Sequence, residues 1–211
     1  MSGRKSIRVM IVDDHFMARL GLAVPINGEP DMKVVAEAAD AAQALALYPR
    51  LKPDVVTLDA RLPGLGGVET ARALLEIDAE ARLLMITAFD GEEDVHRALQ
   101  AGVRGYLTKD ASRAEVLEAI RQVHAGERVL PPAIAEKWRT REAREALIPR
   151  EIAILRHIVD GRANKEIAAE LGLSEALVKL HVRRILEKLG AVDRTRAATL
   201  AIERGIVHLG G

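Results

Sequence analysis

Asp13-Asp14, Asp59, Thr87 and Lys109 are the residues of this chain whose types could do chemistry together, because each stands where a short apolar run stops. Ile7–Val12 leads into Asp13-Asp14, Val55–Leu58 into Asp59, Leu83–Ile86 into Thr87 and Gly105–Thr108 into Lys109. Three carboxylates brought close together repel one another. The usual remedy is a hard divalent cation with oxygen ligands, and Mg2+ accepts one or two carboxylates together with water and phosphate oxygen. A Lys and a Thr hydroxyl beside such a cation complete a cradle for a phosphoryl group. Taken alone, Asp59 ahead of Pro63, Gly64, Gly66 and Gly67 serves equally well as a cap for the next helix; the polar residues on the other strands break that tie.

Those residues converge only if the runs are strands of one parallel sheet. Val34–Ala36 supplies a further strand, and helical spacing is expected over Phe16–Val24, with Met17, Leu20 and Val24 as its apolar stripe and Pro25 kinking or ending it. More helices are expected over Ala41–Leu51, Gly67–Ile77, Glu92–Ala101 and Arg113–Ala125, the last stopped by Gly126. Strands alternating with helices call for a doubly wound α/β fold with a five-stranded parallel sheet, whose ligands bind at the carboxyl ends of the strands.

The chain of 211 residues is long for one small domain and has no cysteine, which excludes disulfides, thiolate metal sites and a cysteine nucleophile. Aromatics are only 2% of the residues, so the cores must be filled by Ala, Leu, Val and Ile. No apolar run has the length of a membrane span or a signal peptide, and a cytoplasmic protein is expected. The net charge of zero hides a division: residues 1–138 carry 17 Lys and Arg against 21 Asp and Glu, residues 139–211 carry 14 against 10. An acidic half joined to a basic half suggests two different partners.

The set Asp13-Asp14, Asp59, Thr87 and Lys109, with Pro63-Gly64 after the acceptor, resembles the receiver domain of two-component response regulators, a flavodoxin-like fold, over roughly residues 6–126. The resemblance implies that Asp59 accepts a phosphoryl group from a sensor histidine kinase. Asp13, Asp14, Asp59 and the backbone carbonyl of Arg61 would hold Mg2+, Thr87 and Lys109 the phosphoryl oxygens, and Tyr106 would be the aromatic of the switch. Asp110 follows Lys109 where many receivers have Pro; the DNA-binding subgroup often has Asp. Arg61 and Phe89 stand two residues beyond Asp59 and Thr87, positions that in receivers border the path of the attacking water, so a long-lived phosphoryl group is expected. Asp59-Ala60-Arg61 offers no second acid two residues on, which speaks against a phosphotransferase or phosphatase, and no enzyme is expected beyond slow self-dephosphorylation.

Residues 127–146, with Pro131-Pro132 and a dense run of charge, read as a partly helical linker. From 147 to 211 only helices are expected: Arg150–Val159, Asn164–Leu171, Glu175–Leu189 and Arg194–Arg204, with Asn164, Ser174 and Asp193 as N-caps. The middle pair, joined by Gly172-Leu173-Ser174, suggests a helix-turn-helix. Val178, Val182, Ile185 and Leu189 form its buried stripe; Lys179, Leu180, Arg183 and Arg184 project away from it. Periodicity alone leaves a plain helical bundle as good a reading. The wording, however, with Pro149-Arg150-Glu151, Asn164-Lys165-Glu166-Ile167-Ala168, Val178-Lys179, His181-Val182 and Glu187-Lys188-Leu189-Gly190, resembles the LuxR-type helix-turn-helix, and the whole chain a NarL/FixJ-type response regulator.

That resemblance implies a phosphorylation-controlled transcription regulator that binds double-stranded DNA, as a homodimer when active. Lys165, Lys179, Leu180, His181, Arg183 and Arg184 are the expected contacts. Leu177 and Leu180 replace the usual polar residues, and Ile148 stands where a capping Thr is typical. The alternative to a DNA-binding regulator is therefore a receiver used as a protein-interaction switch.

Overall fold

The computed structural model describes residues 6–208, and contacts divide it into two compact units. One is built from the chain up to Phe89 together with Val95–Ala135, the other from Asp90–Asp94 together with the chain from Glu136 on.

In the first unit β1 (Ile7–Val12), β2 (Met32–Ala38), β3 (Val55–Leu58), β4 (Leu83–Thr87) and β5 (Gly105–Thr108) form one sheet in the order β2-β1-β3-β4-β5, all pairs parallel. Helices α1 (Phe16–Asn27), α2 (Ala41–Leu51), α3 (Gly67–Ile77), α4 (Glu92–Gln100, of which the part from Val95 on belongs to this unit) and α5 (Arg113–His124) alternate with the strands. A parallel sheet needs crossovers that cover both its faces, which is why β3 and β4 are buried at every residue and read as unbroken apolar runs. On one face Val9, Ile11, Val55, Leu84, Ile86 and Leu107 pack against Ala23 and Ile26 of α1 and Val116, Ile120 and Val123 of α5.

Two expectations for α1 need correction. Met17 and Val24, expected on its apolar stripe, are 71% and 65% exposed, and Leu20 is exposed with them. The helix has two apolar flanks, and spacing cannot say which one meets the sheet; the small Ala23 with Ile26 does so. Pro25 does not end α1 but lies inside its last turn, where a missing N–H and a crowded carbonyl disturb little helix beyond it.

In the second unit, α6 (Pro132–Glu142) starts in the first unit's last residues, and α7 (Pro149–Val159), α8 (Asn164–Leu171), α9 (Glu175–Leu189) and α10 (Arg194–Glu203) follow. Ile154, Leu155 and Ile158 of α7, Ile167 of α8, Val178, Ile185 and Leu189 of α9 and Ala197 and Ala201 of α10 share one core. Ser174 and Asp193 cap α9 and α10, their side chains accepting from the N–H groups of Leu177 and Arg196. Asn164 is not a cap: it is the first helical residue of α8, and its Oδ1 accepts from Arg194 at 3.0 Å. Among the described residues no helix is long and apolar enough to cross a membrane.

Candidate functional site

Strand pairing decides which chain ends meet. Val12 is in register with Leu58, so the residues that follow them, Asp13 and Asp59, stand side by side, the Asp59 N–H donating to the Val12 carbonyl at 2.9 Å. Thr87 pairs with Thr108, and the Lys109 N–H donates to the Thr87 carbonyl at 2.9 Å. The β1–β3 junction is where the strand order reverses, the place where open α/β sheets form a crevice. Gly67 at the start of α3 lets that helix close on the acidic loop: a Cβ there would stand 2.0 Å from the Asp59 carbonyl oxygen. Past Lys109, Ser112 and Glu115 cap α5 reciprocally and fix the other wall.

The side chains converge. Lys109 Nζ lies 2.7 Å from Asp13 Oδ2 and 2.8 Å from Asp59 Oδ2 and so bridges two buried carboxylates. Burial pulls the Lys109 ammonium toward a lower pKa, but its hydrogen bonds to Asp13 and Asp59 and their charge outweigh this and hold it above the ordinary lysine value. The second oxygen of Asp59, Oδ1, is buried and has no hydrogen-bond partner among the described residues. A buried carboxylate oxygen left without a donor is costly, and an incoming cation or phosphorus would satisfy it. Asp13, Asp14, His15 and Asp59 each offer one ligand atom, all within 4.8 Å of one another, so the donor set fits a divalent ion.

Thr87 is fully buried, and its Oγ1 accepts from the Phe89 N–H at 3.3 Å. Tyr106, also fully buried, donates its hydroxyl to the Phe89 carbonyl at 2.5 Å. The exposed Arg61 lays its guanidinium over the Phe89 ring, 4.0 Å from the centroid, so the two large residues flanking the acceptor touch each other. Sequence reasoning passed over His15, whose Nδ1 is 2.7 Å from Asp14 Oδ1; its place directly after the acidic pair was the available signal.

In the second unit the turn from α8 to α9 is made by Gly172 at φ 65°, a conformation that disfavours any residue with a Cβ. On α9, Lys179, Leu180, Arg183 and Arg184 are exposed, as is Lys165 on α8. Lys179 pairs with Glu175 at 2.8 Å and Arg183 with Glu187 at 3.0 Å, exposed pairs of a kind that hold little energy and can yield to a phosphate.

His181 must be withdrawn from the expected contacts: it is 5% exposed and lies in the interior, its Nδ1 4.0 Å from Oε1 of the buried Glu151. Position 181 is one helical turn from Val178 and Ile185, so it shares their inward face, while Val182 is only half-buried. Glu151 accepts from Lys188 Nζ at 2.9 Å and from the Ile148 N–H at 3.0 Å. Ile148 has no capping side chain, and Glu151 supplies the hydrogen bond from inside the helix instead.

Residues 9–121 match the family of response regulator receiver domains, and residues 145–201 match the luxR family of bacterial regulatory proteins. The chain belongs to the response regulators with a LuxR-type DNA-binding domain. Similar proteins cover it almost end to end. The transcriptional regulatory protein LiaR of Bacillus subtilis is 35% identical over 96% of this chain and 100% of its own length. The response regulator VraR of Staphylococcus aureus shows the same identity and coverage. Among solved structures, the response regulator ChrA of a heme-sensing two-component system is 38% identical, covers 96% of this chain and 99% of its own, and has a TM-score of 0.57. RcsB of Salmonella typhimurium, at 20% identity, 92% of this chain and 98% of its own, shares the fold with a TM-score of 0.72. This response regulator thus joins a receiver to a LuxR-type DNA-binding domain, the organisation of transcriptional regulators in two-component systems.

Proposed function

We propose that this response regulator takes a phosphoryl group onto Asp59 from a sensor histidine kinase and, in that form, binds double-stranded DNA as a dimer through α9. The observation that carries the reading is the division of labour on Asp59. Oδ2 is held by Lys109, while Oδ1 is buried and unpartnered, and is therefore the oxygen that attacks phosphorus. As the new O–P bond forms, the P–N bond to the kinase histidine breaks and its electron pair stays on the imidazole.

Asp13, Asp14 and Asp59 would hold Mg2+, with the Arg61 carbonyl as a further ligand. Bound Mg2+ supplies charge neutralisation for the acidic cluster and the phosphoryl oxygens. Lys109 holds one phosphoryl oxygen by its charge, and the Thr87 hydroxyl donates to another. The product carries more negative charge than the carboxylate did, which draws Thr87 and Lys109 inward. No turnover of a substrate follows from this arrangement; the chain is a phosphoacceptor that dephosphorylates slowly, working in the cytoplasm.

On the DNA side, Lys165, Lys179, Arg183 and Arg184 approach phosphates and guanine edges, and Leu180 reads an apolar feature. One short helix contacts few bases, so two half-sites about a helical turn apart, or a multiple of it, are read by a dimer. Of the α10 residues Ala198, Ala201 and Ile202, whose small apolar surface could join two such domains, Ala201 is buried in the core and Ala198 packs against it, which leaves Ile202, 39% exposed.

Asp59→Asn is the test. Treated with acetyl phosphate and Mg2+, the wild type gains one phosphate in its intact mass and shifts a two-half-site duplex at lower concentration. The variant keeps its fold, since the amide retains the volume and Lys109 retains Asp13, and gains nothing. A phosphate adduct on the variant removes Asp59 as the sole acceptor.

A further inference from the structure

We propose that the groove between α1 and α5 is a binding site for a small apolar carboxylate, with Arg113 as its anchor and Gly21 as its open wall.

The groove has a volume of about 290 Å³, near the lower end for a ligand pocket and so sized for a small molecule. Leu22 and Pro25 of α1, Ile86 of β4 and Val116 of α5 give it apolar sides. Ile86 and Val116 belong to the core, and the groove therefore reaches down to the sheet.

Gly21 supplies a separate observation. Every other described glycine either has a left-handed φ or stands where a Cβ would meet another atom within 4 Å. Gly21 has neither reason: a Cβ there would meet nothing, the Pro25 ring one turn on included, although glycine weakens the interior of a helix. Packing within the chain thus does not call for glycine at 21, and this position lines the groove. What uses the space comes from outside the chain.

Charge selects the kind of occupant. The groove is lined by two cations, Lys109 and Arg113, and one anion, Asp13, with the Thr108 hydroxyl beside them. Asp13 is spent, since its Oδ1 accepts the His15 N–H at 2.8 Å and its Oδ2 lies 2.7 Å from Lys109 Nζ. Lys109 is spent on Asp13 and Asp59. Arg113 is not: it meets Glu29 Oε1 at 3.2 Å through one of its five N–H donors, in an exposed pair that yields readily. Glu29 would then keep Arg121, held by its other oxygen at 2.9 Å. Donors and positive charge at one end, with apolar walls along the rest, match a carboxylate on an apolar body. Asp13 and Lys109 also belong to the acceptor site, so a bound ligand rests beside the side chain that holds Asp59.

The test uses the full-length chain with its Ile, Leu and Val methyl groups labelled with 13C, and octanoate and 2-naphthoate as probes. Each probe should shift the methyl signals of Leu22, Ile86 and Val116 saturably, and octanamide, which lacks the charge, should bind about tenfold more weakly than octanoate. Arg113→Gln should bring octanoate down to the affinity of the amide and leave the amide unchanged. Gly21→Leu should abolish the shifts for all three probes while the remaining methyl signals keep their native dispersion, because a Cβ at 21 meets no atom of the chain. Methyl signals that none of the probes moves, or equal binding by Gly21→Leu and the wild type, overturn the site. Equal affinity for octanoate and octanamide overturns the carboxylate. Shifts of the same signals on raising the protein concentration alone, with dimers in sedimentation, would show a second copy of the chain covering the groove and overturn the ligand.

Discussion

Thr87 and Tyr106 hold one residue from its two sides: Thr87 Oγ1 accepts the Phe89 N–H at 3.3 Å, and the Tyr106 hydroxyl donates to the Phe89 carbonyl at 2.5 Å. Any movement of the Thr87 hydroxyl toward a phosphoryl group is therefore felt at the loop that Tyr106 restrains. Tyr106→Phe removes that restraint and keeps the ring in the core. The variant is expected to accept phosphate from acetyl phosphate as the wild type does, while the gain in DNA affinity on phosphorylation shrinks. Mobility shift with and without the phosphodonor measures both, and an undiminished gain would show that Tyr106 carries no signal.

The Arg61–Phe89 stack brings together the two positions expected to border the path of the attacking water, and a cation–π contact at an exposed site is worth about 0.5–1 kcal/mol. Replacing both with asparagine removes two bulky groups from the path of water. Loss of the aspartyl phosphate should become several-fold faster in Arg61→Asn with Phe89→Asn, followed by intact mass against time. Equal decay in the two proteins would mean that the stack does not govern access.

Glu151 contributes a pH-dependent term to the second unit. Burial raises its carboxyl pKa, but the hydrogen bonds from Lys188 and from the Ile148 N–H, with the charge of Lys188, outweigh burial and hold it below the ordinary value of 4.5. A carboxylate depressed on folding stabilises the native state above its unfolded value, and that contribution is lost as pH falls through the folded value. Glu151→Gln should cost about 3 kcal/mol near neutrality, as breaking a buried pair does, and the penalty should shrink on acidification below about pH 4. Hydrogen exchange in the peptides of α7–α9 across pH reports it; a penalty independent of pH would assign the loss to packing alone.

Leu180 is 46% exposed between two basic residues of α9, and the major groove offers one apolar feature, the thymine methyl. Leu180→Ala should weaken binding to the preferred site by about 1 kcal/mol and leave the salt slope unchanged, because no phosphate contact is lost. Replacing the contacted thymine by uracil should cost the wild type a similar amount and the variant almost nothing. If no thymine shows this coupling, Leu180 does not read DNA.

Read alone, the amino-acid sequence carried the local half of this protein. Apolar runs ending in Asp13, Asp59, Thr87 and Lys109 announce strands and their carboxyl ends, because a buried parallel strand cannot hold a charge until it stops. Gly172 and Ser174 announce the turn between α8 and α9, since their backbone preferences act within a few residues. What the sequence could not decide were choices between faces and partners. The stripe of Met17, Leu20 and Val24 was as apolar as the face that α1 buries, and only packing on the sheet selected Ala23 and Ile26. His181, polar and placed among basic residues, read as a contact for DNA; its burial beside Glu151 depends on α7 closing over α9 from thirty residues away in the chain. The bridge from Lys109 to two carboxylates, the unpartnered Asp59 Oδ1 and the place of His15 against Asp14 are likewise tertiary. Spacing along a strand fixes which edge a side chain reaches, while distances between edges are set by sheet register and helix packing, which no local preference encodes.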